Sequence, residues 1–359
     1  MSAGPTAPKP LGPTRLSQRV YTLDPIQDAR WDAFVEAHPA ASVFHLRAWV
    51  EALQRSYAYQ PVVYTTSPPD APLTNGVLLC TVRSWLTGSR LVSVPFADHC
   101  EPLVTLPEDR AAILNALVAA GRDWKYVELR PRTSGPWDAP GLGESASFRL
   151  HALDLRPALE DLLRRAHPSA IQRKIHRAER EGLSYDEGRS EALLQTFFRL
   201  MLETRRRHGL APQPLQWFRN LVACFGNRVK IRVAAKDGRP IGSILTLQHG
   251  DTLVYKYGCS DARFHSLGAM PFLFWQCIQD AKASGVQTFD LGRSDVGNAG
   301  LITFKERLGA TPSTLTYLRV PALERRARGR SLRLPARIAA RMPDSVLAAA
   351  GKLLYRHIG

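Results

Sequence analysis

The side chains that could do chemistry are bunched at a few points along the chain. Asp98 and His99 follow the apolar run RLVSVPF, in a loop that leads to Pro102. A carboxylate or imidazole so placed is either a general base toward an amine or hydroxyl or a cap for its own turn. Arg293 and Ser294 stand just past the strand-like TFDLG. Ligands gather at the carboxyl ends of strands in α/β folds, and a guanidinium grips phosphate or carboxylate through two parallel hydrogen bonds. Lys305 and Arg307, in FKERLGA, lie on a short helix that could reach the same place, or are solvated there. His208 follows Arg205, Arg206 and Arg207 and precedes Gly209. The helix dipole alone accounts for cations at such a helix end; the imidazole is a further candidate ligand contact. Tyr255, Lys256 and Tyr257 fall in TLVYKYG. Strand alternation puts the two tyrosines on one face and Lys256 on the other.

The elements that must carry these residues repeat. VFHLRAWVEALQRSY has Phe44, Trp49, Leu53 and Tyr57 at helical spacing. Short apolar runs follow (PVVYTT, NGVLLCTV, RLVSVPF), separated by turn residues as in an antiparallel meander. Then come a helix over Glu108 to Gly121 and a strand at Tyr126 to Pro131. The second half has helical patterns over Glu191 to His208 and Pro214 to Phe225, then VKIRVAA, GSILTLQ and TLVYKYG, a helix from Ala269 to Ser284, and TFDLG. Gly76 and Glu128 are 52 residues apart, Gly242 and Asp290 48. Matched order and spacing predict two copies of one α/β unit. The copies would occupy residues 20–140 and 150–321, with the Gly-, Pro- and Ser-rich stretch from Thr133 to Phe148 as the boundary. Residues 1–19 read as a disordered leader, and 322–359 as a basic helical tail.

The second half resembles an N-acetyltransferase (GNAT) domain. In that superfold the loop after the central strand cradles the pyrophosphate of acyl-CoA on a helix N-terminus. The matching stretch runs from Arg263 to Ala269; Arg263 and Gly268 fit the pattern, while Ser266 stands where glycine is expected. The resemblance also makes Tyr257 a candidate proton donor to a departing thiolate, against the reading of a packed core aromatic. LGRSD from Leu291, Gly300-Leu301, FKERLGA, SVPFADHCEPLV, VFHLRAW and IQRKIHRAEREGL together are similar to the Fem-like branch of GNAT proteins, and to its shorter members found with exopolysaccharide genes. That resemblance implies two tandem GNAT-like domains in the α/β (α+β) class, each a mixed, mostly antiparallel sheet flanked by helices. It implies transfer of an acyl or aminoacyl group to an amine or hydroxyl of a cell-envelope or exopolysaccharide precursor. The donor would be acyl-CoA or aminoacyl-tRNA, used as a co-substrate with no tightly bound cofactor. The acceptor would be phosphorylated or lipid-linked. Two departures stand out: no segment is long enough for the helical-hairpin arm of the peptidoglycan enzymes, and Glu101-Pro102 replaces their Gly-Pro.

Composition sets the remaining bounds. The chain has 359 residues, 45% hydrophobic and 22% charged, enough for a core in each lobe. Its five scattered cysteines include no CxxC pair, which argues against zinc knuckles and disulfide frameworks and suits a reducing cytoplasm. The leader has no apolar h-region, and no stretch reaches the ~18–20 apolar residues of a membrane span. The net charge of +16 favours an anionic partner: a phosphorylated substrate, tRNA, or an anionic membrane. It also keeps open a non-catalytic protein of this fold that binds nucleic acid or scaffolds an assembly. From Ala322 on, nine Lys and Arg face Glu324 and Asp344. Within it Val346, Leu347, Ala350, Leu353, Leu354 and Ile358 recur at helical spacing beside Lys352 and Arg356. That stripe either packs on the core or lies on a membrane surface.

Overall fold

The computed structural model describes residues 18–322 and 343–358. The expected leader up to residue 17, and the arginine-rich stretch at 323–342, lie outside the described residues. The first copy runs through strand Tyr21–Leu23 (β1), helices Ala29–Ala37 (α1) and Arg47–Tyr57 (α2), strands Gln60–Thr65 (β2), Val77–Val82 (β3) and Arg90–Ser93 (β4), helix Pro107–Ala120 (α3) and strand Val127–Leu129 (β5). Strand Gly143–Asp154 (β6) and helices Leu159–Arg165 (α4) and Arg173–Arg180 (α5) lead to the second copy. That copy comprises Ser184–Gly188 (β7), Glu191–Arg207 (α6), Leu215–Phe225 (α7), Val229–Lys236 (β8), Arg239–His249 (β9), Thr252–Ser260 (β10), Ala269–Ala283 (α8) and Thr288–Asp295 (β11). Ala299–Arg307 (α9), Thr311–Val320 (β12) and Asp344–Ile358 (α10) complete the described elements.

Both copies share one topology. Each reads β-α-α-β-β-β-α-β, with antiparallel neighbours until the last pair, which is parallel: β4 with β5, and β10 with β11. The two are not separate sheets. Order runs β1-β2-β3-β4-β5-β12-β6-β11-β10-β9-β8-β7, a single sheet of twelve strands. The join is an exchange. β6, which follows the first copy, pairs with β11 of the second; β12, which follows the second copy, pairs with β5 of the first. The two exchanged strands then pair with each other. The end of the Gly- and Pro-rich stretch expected as a linker is therefore sheet. Its residues 143–148 open β6 and pair with β12, which satisfies backbone groups that a loop would leave open.

Helices join the copies on the other side of the molecule. α2 of the first packs on α7 of the second, with Trp49 edge-on to Trp217 at 5.3 Å and to Phe225 at 6.3 Å. The face predicted from Phe44, Trp49, Leu53 and Tyr57 is buried as a unit, although the helix starts only at Arg47 and Phe44 sits in the turn before it. α10 docks across this seam. Leu347 is fully buried, Gly351 lies against the Pro212 carbonyl, and Tyr59 donates its hydroxyl proton to the Tyr355 carbonyl at 2.7 Å. The apolar stripe of the tail is thus split: one side is core, while Leu353 faces outward.

Candidate functional site

The parallel pair β10–β11 holds register only from Thr252 to Val254 against Thr288 to Asp290. Beyond that point both strands are irregular. β10 has a bulge against β9 between Tyr255 and Tyr257, and β11 shifts against β6 between Asp290 and Arg293. The loop after β4 in the first copy enters at this place. Asp98 lies against Gly292, where a Cβ would stand 2.7 Å from Asp98 Oδ2 and 3.4 Å from the Tyr255 carbonyl oxygen. Gly292 also has φ +71°, a backbone conformation glycine tolerates without strain. Glycine is required twice over, by the backbone and by the approaching carboxylate.

The charges converge there. Asp98 Oδ1 accepts from Lys256 Nζ at 3.1 Å, and Arg293 Nε lies 3.8 Å from the same oxygen. Arg293 Nη1 donates to the Tyr317 hydroxyl at 2.8 Å, and that hydroxyl donates to the Asp98 carbonyl at 2.6 Å. The Arg293 guanidinium also covers the Phe148 ring at 4.2 Å. Lys256 Nζ sits 5.3 Å from the Phe44 ring, 5.8 Å from Trp49 and 5.7 Å from Tyr257. Burial pulls its ammonium below the usual lysine range, and Asp98 opposes the pull.

Beside this cluster, His99 Nε2 is 2.9 Å from Asp290 Oδ2, both side chains about 98% hidden or more. Asp290 Oδ1 accepts from the Gly292 N–H at 2.7 Å. Burial favours the neutral acid. The His99 hydrogen bond, the charges of His99 and Arg132, and the Gly292 N–H outweigh it and hold Asp290 below the ordinary carboxylate value. His99 Nδ1 is buried with no hydrogen-bond partner among the described residues.

Lys305 reaches in from α9. It is 2% exposed and donates to the carbonyls of Gly292 at 2.7 Å and Arg293 at 3.2 Å. An ammonium has three hydrogens, and these two contacts use two of them. Burial brings its pKa down to about 8, against the opposing pull of Asp98 and Asp290 and with help from Lys256. Such a lysine can act as a cation or exchange a proton near neutral pH.

Asp98, His99, Arg293 and Lys305 of the sequence-derived candidates therefore come together. The others lie elsewhere. Tyr257 is a core residue on the α7 side. Its hydroxyl accepts from Gln213 Nε2 and Trp217 Nε1, both at 2.9 Å, and burial raises its pKa. The bulge also corrects the expected facing. Tyr255 packs on Phe274 at 4.8 Å, Tyr257 on Phe218 at 5.2 Å, in two different cores. An extra residue in one strand reverses the alternation downstream, so Tyr255 and Tyr257 do not share a face. Ser294 is buried on the face opposite Arg293, its hydroxyl unpartnered among the described residues. His208 is an exposed residue closing α6. Arg263 is bound to Asp261 through Nη2 to Oδ2 at 2.6 Å. Gly268, at φ +81°, begins α8, and a Cβ there would collide with the Lys174 carbonyl of α5. The start of α8 is thus packed closely against α5 at the glycine of the expected pyrophosphate loop.

Sequence reasoning passed over Asp290, Lys256 and Tyr317. Asp290 had a readable signal: a lone carboxylate between Phe289 and Leu291, two residues before a glycine. Lys256 was assigned to the wrong side because a bulge leaves no mark in alternation. Tyr317 had no signal, since its role depends on β12 crossing to the other copy.

The comparisons with known proteins bear on the fold and the family resemblance. The family model for an acetyltransferase (GNAT) domain matches residues 165–306, the stretch carrying Lys256, Asp290, Arg293 and Lys305. The structure of FemX covers 80% of this chain and 94% of its own, at TM-score 0.62 and 14% identity. A tandem GNAT protein from the clavulanic acid biosynthesis pathway covers 84% of this chain and 98% of its own, at TM-score 0.51 and 14% identity. At such identities these likenesses establish the fold, which is that of a tandem GNAT protein. UDP-N-acetylmuramoylpentapeptide-lysine N(6)-alanyltransferase of Weissella viridescens is 28% identical over 144 residues, 39% of this chain. The match spans 42% of that relative's length. Over that stretch the chain is similar to a Fem-type enzyme, and the shared topology with FemX is a likeness of fold.

Proposed function

We propose that this protein is an acyltransferase that moves an aminoacyl group onto an amine of a cell-envelope or exopolysaccharide precursor. The observation that carries the reading is the cluster at the β10–β11 divergence: Lys305 and Arg293 beside an opened strand edge, on the segment that matches the GNAT domain. The acceptor nitrogen attacks the donor carbonyl carbon, the C–N bond forms, and the C–O bond to the donor breaks. The departing oxygen takes up a proton, and the acceptor nitrogen gives one up. Arg293 and the third hydrogen of Lys305 bind phosphate or the developing oxyanion. Peptide N–H groups at the bulge in β10, released from the regular ladder, are a second source of oxyanion donors. Holding donor and acceptor in line supplies most of the rate. Asp98 and His99 fix the cations and Asp290 rather than compete for substrate protons.

Two features favour an aminoacyl-tRNA donor over acyl-CoA. Ser266 stands where the pyrophosphate-binding pattern has glycine, and the charge of +16 suits a long polyanion. The work would be done in the cytoplasm, with a phosphorylated or lipid-linked acceptor. The alanyltransferase relative is named for transfer to a lysine N6 of a UDP-linked pentapeptide, so that compound is the first acceptor to try. The test is a transfer assay with alanyl-tRNA and acetyl-CoA as alternative donors and UDP-N-acetylmuramoylpentapeptide and amino sugars as acceptors. Transfer from alanyl-tRNA, reduced at least about 100-fold in Lys305→Met, is the expected result. Turnover from acetyl-CoA alone would overturn the donor. Tight tRNA binding without transfer to any acceptor would favour the non-catalytic reading.

A further inference from the structure

The turn between β3 and β4 ends in side chains that the fold does not use. Trp85 is 87% exposed and Leu86 54%. A second set faces outward from α10, where Leu353 is 72% exposed and Val346 47%. The two sets are neighbours. His357 near the end of α10 lies edge-on to the Trp85 ring at 5.6 Å. Its carbonyl accepts from the Thr87 hydroxyl and from Arg90 Nη2, each at 2.8 Å, and its ring is 3.0 Å from Ser84 Oγ. The turn is therefore braced against the helix, and its apolar tip is held out into solvent.

Helical spacing puts Val346, Ala349, Lys352, Leu353 and Arg356 on the arc opposite buried Leu347 and Gly351. That arc is apolar on one side and cationic on the other. Exposed Arg83 and Lys125 stand by the turn, and Lys125 is tied to it by donating to the Thr87 carbonyl at 2.8 Å. The sequence just before α10 adds seven arginines against Glu324. The partner chemistry follows from the mixture. An indole settles at a membrane–water interface, aliphatic side chains enter the acyl boundary, and the bordering cations meet anionic headgroups. Nucleic acid would use the cations and could stack on the indole, but gains nothing from Leu86, Leu353 and Val346. A protein interface of this kind would have few charges at its centre.

We infer that the protein docks on an anionic bilayer through Trp85, Leu86 and the outward face of α10, without crossing it. Among the described residues no helix is long and apolar enough to span a membrane. The inference stands apart from the proposed reaction.

The test is sedimentation of the full chain with phosphatidylcholine vesicles containing about one-third phosphatidylglycerol, against pure phosphatidylcholine and against added salt. The wild-type chain should sediment with the anionic vesicles only and be released by salt. Trp85→Ser with Leu86→Ser should weaken the partition at least about tenfold, as should Leu353→Ser with Lys352→Glu. These positions are outside the reaction cluster, so urea unfolding and transfer to a water-soluble acceptor should stay at wild-type levels in the same variants. Failure of the wild type to bind anionic vesicles, or equal binding by wild type and both variants, would overturn the proposal. So would loss of RNA binding, rather than vesicle binding, in the Trp85 and Leu86 variant.

Discussion

Replacing Asp98 by asparagine isolates the ion pair that ties the first copy to the divergent strands of the second. The substitution keeps the shape and removes the charge, leaving Lys256 with three aromatic rings and an uncharged amide in place of the carboxylate 3.1 Å from its Nζ. Breaking a buried pair by removing one partner costs about 3–5 kcal/mol. Lys256 can escape part of this by giving up its proton. From a reference value of 10.5, neutralising it at pH 8 costs about 3.4 kcal/mol, and at pH 9.5 about 1.4 kcal/mol. The loss in Asp98→Asn is therefore capped at about 3.4 kcal/mol at pH 8 and shrinks as pH rises. The sign follows from proton counts. The unfolded chain keeps the lysine proton up to its ordinary value while the folded variant has lost it. The unfolded state then binds more protons, and stability grows with pH across that window. Urea unfolding at pH 7 to 9.5 measures this, and Lys256→Met added to Asp98→Asn should bring stability back to within about 1 kcal/mol of wild type by removing the stranded charge. A loss below about 1 kcal/mol at pH 8, or a double variant no better than Asp98→Asn, would refute the account of a buried, mutually dependent pair.

Two further outcomes are expected. If the charged form of Lys305 binds the developing anion, kcat/KM should fall as pH rises through about 8; Lys305→Met should abolish that limb and cost at least about 100-fold, or 2.7 kcal/mol of transition-state binding, read from steady-state pH profiles. Gly292→Ala must adopt φ +71° with its Cβ 2.7 Å from Asp98 Oδ2, and should lower unfolding stability by about 2–3 kcal/mol while also reducing turnover, because Asp98 and Arg293 are displaced together.

How far the residues could be read in advance varied with the range of the interaction. The duplicated order of helices and strands was legible because it rests on local periodicity and turn residues, at Trp49, Leu53 and Tyr57 in α2 as much as along α8. Arg293 and Lys305 were legible because a strand end and a short following helix are themselves local features, and because their surroundings resembled a known branch of one superfold. The exchange of β6 and β12 was not. It joins segments more than 160 residues apart, such as Ser147 and Thr316, and no local preference distinguishes a strand that pairs at home from one that crosses. The same holds for Lys256 and Asp290. One bulge in β10 turns Tyr257 into one core and Tyr255 into another, and it brings Lys256 to a carboxylate 158 residues away. The amino-acid order by itself determined the two copies, their elements and the cations available for an anionic substrate. Tertiary structure decided which of those cations meet, because a buried charge holds its place only where another segment brings the opposite charge to it.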